Sequence, residues 1–157
     1  MIRICLDLDG TLFDLYGKSN WLDLLTTETA GAFEGEFLPE IDVPKLYRLA
    51  RLLNALKVKI DVVTWLPMDC SKEYGAICTA EKEKWVRTNL PFVDKIYCID
   101  YGIPKQTIGK KAQTMYLIDD NEKVCADWQT AKQRKAFNVN REYTIVNAFE
   151  DIIKAIA

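Results

Sequence analysis

The sequence predicts an α/β domain in three layers, a parallel sheet with helices on both faces, interrupted by a small insert after the first strand. Three observations predict it. Strand-length apolar runs alternate with helical patterns along the chain. Those runs are too continuously apolar for a sheet with one wet face, so both faces must be covered. At 157 residues the chain has the length of one domain with one sizeable core, spanning 1 to 157 without a linker or an internal repeat.

The first strand is IRICLDL at 2 to 8, and the insert at about 12 to 40 follows it directly. That stretch is rich in Gly, Thr, Glu and aromatic residues and holds no sustained period, which marks it as a cap or flap rather than part of the sheet. A helix begins near Asp42, with Pro44 in its first turn and Leu46, Leu49, Ala50 and Leu53 on one face. The second strand is KIDVVT at 59 to 64, followed by a loop at 67 to 78 and a helix from about Thr79 to Pro91. KIYCI at 95 to 99 and MYLID at 115 to 119 are the next strands, and a helix follows Asn121. AFNV at 136 to 139 and YTIV at 143 to 146 are weaker strand candidates, with a last helix from Asn147, where Asn147 and Glu150 have capping-box spacing. The four helices read as packing elements.

A net charge of −2 supplies no broad attraction for nucleic acid or an anionic surface. The N-terminus lacks a signal-type apolar run and no window reaches the length of a membrane span, so a cytoplasmic location is expected. Five scattered cysteines, odd in number and without a C-x-x-C pair, read as reduced structural thiols. The absence of histidine excludes His-based triads and His-ligated zinc. Acid-base chemistry therefore falls to carboxylates and lysines.

The strongest chemical signal is Asp7-Leu8-Asp9-Gly10-Thr11, two carboxylates at the end of the first strand, where parallel sheets bind ligands, with a glycine that lets the chain bend. Thr64 ends the second strand, where a hydroxyl can donate to a phosphoryl oxygen, although threonine is also common in strands for its shape alone. The strand at 115 to 119 stops at adjacent carboxylates, Asp119 and Asp120. Their mutual repulsion suits a divalent cation, and acids there also favour the start of a helix. Lys105, with Lys110 and Lys111 behind it, supplies positive charge between these motifs, and the sequence leaves open which of the three serves the site.

The order DLDGT, VVT, lysine, LIDD resembles the four motifs of the haloacid dehalogenase superfamily and runs from Asp7 to Asp120, nearly the whole chain. VVT, KWVRTNLP, YGIPK and LIDDN look most like the 5'(3')-deoxyribonucleotidases and related small phosphatases. Two features depart from that group: the cap insert is short, and Trp65 stands where those enzymes typically have Ser. The resemblance implies the Rossmann-like fold of that superfamily and a magnesium-dependent phosphomonoesterase. Asp7 would be the nucleophile and Asp9 the general acid and base. Thr64 and Lys105 would hold phosphoryl oxygens, with Gly10 and Trp65 at the substrate. Mg2+ would be bound by Asp7, the Asp9 carbonyl and Asp119, with Asp120 behind them. The implied substrate is a small phosphorylated molecule, chiefly a nucleoside monophosphate. Phe13, Tyr16, Trp21, Phe33 and Trp65 could stack a base or pack the insert onto the core. The end of a polynucleotide is the alternative substrate, a non-catalytic binding module of the same fold is the alternative class, and homo-oligomerisation stays open.

Overall fold

The computed structural model describes residues 1–108 and 114–157. Five strands form one all-parallel sheet in the order β3-β2-β1-β4-β5, namely β1 (Ile2–Leu6), β2 (Lys59–Trp65), β3 (Ile96–Ile99), β4 (Thr114–Asp119) and β5 (Arg134–Asn138). The chain leaves β1 for β2 on one side and later crosses back to β4 on the other. This order change opens a crevice at the carboxyl ends of β1 and β4, the usual ligand site of such a sheet. In register, Leu6 lies beside Val62 of β2 and Ile118 of β4, so Asp7 and Asp119 leave the sheet side by side.

Side chains alternate between the two faces. Ile4, Leu6, Ile60, Val62, Tyr116 and Ile118 face the larger core, which is closed by α2 (Val43–Ala55), α3 (Lys72–Asn89) and α5 (Ile145–Ile156). Cys5, Val63, Met115 and Leu117 face a smaller cluster under α4 (Glu122–Trp128), where Trp128 is fully buried. Asp42 caps α2 by accepting from the Lys45 amide, and Asn121 caps α4 by accepting from the Val124 amide, both where the sequence places them.

Two elements differ from expectation. YTIV is not a strand. Thr144 caps α5, Thr144 and Asn147 complete a reciprocal capping box, and Ile145, Val146, Ala148, Phe149 and Ile152 fill the core at helical spacing. The box therefore begins at Thr144, not Asn147. α3 starts at Lys72 under a Ser71 cap, so residues 72–78 of the expected 67–78 loop are helix. Gly75 in its first turns hid that start, and it sits close to Cys70 and Leu66.

The insert carries one short helix, α1 (Trp21–Thr26), with no buried residue. α3 holds the rest of it in place. Glu81 accepts from the amides of Gly31 and Phe33, Trp85 Nε1 donates to Gly35 O, and Tyr74 donates its hydroxyl to Thr29 O. Of the two roles open to Phe13, stacking a base or packing the insert onto the core, the second holds: it is buried and meets Trp85 edge-on at 5.3 Å. All five cysteines are free thiols. Among the described residues, no helix is long and apolar enough to cross a membrane.

Candidate active site

Lys105 lies at the centre of the carboxylate cluster. It opens a 3-10 turn, Lys105–Thr107, and its Nζ donates to Asp7 Oδ1 at 2.8 Å and Asp119 Oδ2 at 2.7 Å. Burial alone would lower its pKa, but the two carboxylates outweigh burial and raise it, so the ammonium is held charged. Lys110 and Lys111, the other two candidates, lie outside the described residues.

Asp7 is buried, and its second oxygen accepts from Thr11 Oγ1 at 3.0 Å. Asp119 accepts from the Asn121 amide through Oδ1. Asp7, Asp119 and Asp120 each present an oxygen within 4.8 Å of the others, a set of hard donors that fits Mg2+. Burial, then the charge of Asp7, pushes Asp119 up to about 6 against the pull of Lys105. Asp120 is exposed on its outer side, yet partial desolvation, then the charges of Asp7 and Asp119, pushes it up to about 8. The carboxylates thus crowd one another beyond what Lys105 neutralises. The Asp9 carboxylate is outside this group, and Asp120, expected behind the metal ligands, is within it.

Gly10 makes the crowding feasible. Its φ is +78°, and a Cβ there would stand 2.4 Å from Asp120 Oδ2. Its amide donates to Phe13 O, and the Thr11 and Leu12 amides both go to Leu8 O. These three amides close the turn rather than face a ligand, so Gly10 shapes the site and its N–H is not a free substrate donor.

The residue missed by sequence reasoning is Lys82. This α3 lysine is fully buried, and its Nζ donates to Asp9 Oδ2 at 2.9 Å, Thr64 Oγ1 at 2.8 Å and Trp65 O at 2.7 Å. It also lies 4.4 Å from the centre of the Phe33 ring. Thr64 is buried beneath this lysine and is not among the residues that line the cavity, and its hydroxyl accepts from the ammonium that also serves Asp9. Asp9 Oδ1 is buried without a hydrogen-bond partner and belongs to a residue lining the cavity. Burial raises the Asp9 pKa, with Lys82 opposing it.

The cavity above these groups measures about 380 Å³, within the range of small-molecule sites. Asp7, Asp9, Asp119, Asp120 and Lys105 form its floor; Tyr16, Trp21, Leu25, Phe33, Trp65 and Met68 are among its walls. Tyr16 and Trp21 meet edge-on at 5.0 Å on the insert side. Neither a protein-family model nor a curated protein matches the chain.

Proposed function

We propose that the protein is a magnesium-dependent phosphomonoesterase of the haloacid dehalogenase type, acting through an aspartyl-phosphate on Asp7. The observation that carries this reading is Lys105 bridging Asp7 and Asp119 at the sheet's carboxyl edge, with the unpartnered Asp9 Oδ1 beside them at the same cavity floor. An anionic ester can approach a carboxylate only where positive charge offsets their repulsion, and the buried ammonium supplies part of it. Asp7, Asp119 and the Asp9 carbonyl would hold Mg2+, and the proximity of Asp120 adds a fourth candidate ligand. The ion would neutralise charge on the ester and the acids.

An Asp7 oxygen attacks phosphorus, forming the acyl phosphate as the bond from phosphorus to the leaving oxygen breaks. Asp9 gives its proton to that oxygen through Oδ1, while Lys82 holds Oδ2 and fixes the carboxyl plane. Burial raises the Asp9 pKa, the direction that favours a general acid, while Lys82 opposes it. Water then enters, Asp9 takes one of its protons, and the resulting hydroxide attacks phosphorus. Asp7 leaves as the carboxylate and inorganic phosphate departs. Splitting the reaction in two avoids one difficult displacement.

The aromatic walls suit a flat leaving group, and a nucleoside monophosphate is the substrate class we favour. The test is phosphate release from nucleoside 5'- and 3'-monophosphates, sugar phosphates and a 3'-phosphorylated oligonucleotide, with magnesium and with EDTA. The reading expects magnesium-dependent release with preference for mononucleotides. Release from the oligonucleotide alone would replace the substrate assignment, and no metal-dependent release from any of them would refute the enzyme reading.

A further inference from the structure

We infer that Trp65 is a positioning residue for Lys105, holding the loop that carries the lysine across the sheet, beyond any part it plays as a cavity wall. The topology makes such a support necessary. Lys105 follows the edge strand β3, yet its ammonium must reach Asp7 after β1 and Asp119 at the end of β4, which lie beyond β2. The loop at 100 to 104 therefore passes the carboxyl end of β2, where Trp65 stands beside Ile99 in register.

Trp65 meets that loop at three points. Its Nε1 donates to Ile103 O at 2.8 Å, its ring lies 5.0 Å from the Tyr101 ring, and Lys105 Nζ sits 5.3 Å from its ring centroid. Trp65 packs against the smaller core cluster, as do Ile99 and Ile108, which bracket the loop. Among the described residues its other hydrogen bonds are local, from the Ile103 amide to Asp100 O and from the Thr107 amide and hydroxyl to Pro104 O. Tyr101 and Ile103 are exposed, and Gly102 has φ +86° with nothing within 4 Å of the place a Cβ would take. The 3-10 turn is only three residues long, too short to fix a lysine by itself. The indole thus ties down a carbonyl two residues before Lys105 while its ring face lies near the ammonium.

The phosphate arm of the test rests on the phosphomonoesterase reading; the spectroscopic arm does not. Trp65→Phe keeps a ring and removes the N–H. In protein with 15N-labelled lysine, the Lys105 ammonium resonance is identified by its loss in Lys105→Met. The wild type should show it protected from exchange, and Trp65→Phe should shift and broaden it. Tyr101→Ala, at an exposed position, should produce a smaller change of the same kind and serves if Trp65→Phe fails to fold. Inorganic phosphate with magnesium should bind about fivefold to tenfold more weakly to Trp65→Phe, the loss of about one hydrogen bond. It should bind no more weakly to the double variant with Lys105→Met than to Lys105→Met alone. A Trp65 that only walls the leaving-group pocket would leave phosphate affinity unmoved. An unchanged Lys105 resonance in both variants overturns the inference. If wild type and Lys105→Met bind phosphate equally, the phosphatase reading fails, and the resonance alone still decides the role of Trp65.

Discussion

Replacing Lys82 by methionine keeps most of the side-chain volume and removes the charge that serves Asp9, Thr64 and the Trp65 carbonyl. The ammonium is fully buried and makes three bonds between 2.7 and 2.9 Å. Removing one partner of such a buried pair costs about 3–5 kcal/mol, because the other charge is left without compensation. In a domain of this size, 1 kcal/mol moves the melting temperature by about 2–4 °C, so a fall of roughly 6–20 °C is expected. The loss should depend on pH. Without Lys82 the Asp9 pKa, already raised by burial, rises further in the folded protein. Asp9 then destabilises the fold when ionised and does so less as pH falls, so the deficit should be smaller at pH 5 than at pH 8. Adding Asp9→Asn to Lys82→Met removes the stranded charge and should return much of the loss. Urea unfolding followed by tryptophan fluorescence in the four combinations measures the coupling. A Lys82→Met protein within about 1 kcal/mol of wild type, or a deficit unchanged by Asp9→Asn, would refute the assigned role.

Asp119 and Asp120 also make stability depend on pH and metal. An acid whose folded pKa lies above its unfolded value contributes stability that is complete below the unfolded value and lost as pH rises through the folded one. For Asp119, whose pKa is pushed from 3.8 up to about 6, the loss falls across that interval. The metal-free protein should therefore weaken between pH 4 and 8, with Asp120 extending the loss to the upper end. Magnesium should restore stability at pH 8 and do little at pH 5, and equal stabilisation at both would contradict the assignment. Gly10→Ala should cost about 1–2 kcal/mol from its left-handed backbone and more from the approach to Asp120, weakening magnesium binding in a calorimetric titration. Wild-type stability and affinity in that variant would contradict the packing account.

The sheet and its acids were legible because each apolar run and the carboxylates that end it are neighbours in sequence. Asp7 continues the parity of Cys5, and Asp119 that of Met115 and Leu117, so both reach the carboxyl edge on the same face. Lys82 was harder to see because it lies in a run of alternating charge, Glu81-Lys82-Glu83-Lys84, that resembles a solvated helix face. The available signal was its spacing from Tyr74, Cys78 and Val86, which places a lysine within the buried stripe of α3. Its three partners lie 17 to 73 residues away in sequence, and local pattern does not carry that pairing. YTIV misled because β-branched residues favour strands, while the Thr144–Asn147 box and the helical burial pattern decide otherwise. Thr64 was placed at the correct strand end, but its depth beneath Lys82 depends on packing by α3 and the insert.

The most direct test of the central claim is acid-quenched turnover with magnesium and a hydrolysed phosphomonoester, followed by peptide mass spectrometry. The account expects the peptide containing Asp7 to carry one phosphoryl group, and Asp7→Asn to abolish both the adduct and turnover while retaining its fold. Turnover without an adduct in the wild type, together with undiminished release by Asp7→Asn, would contradict it.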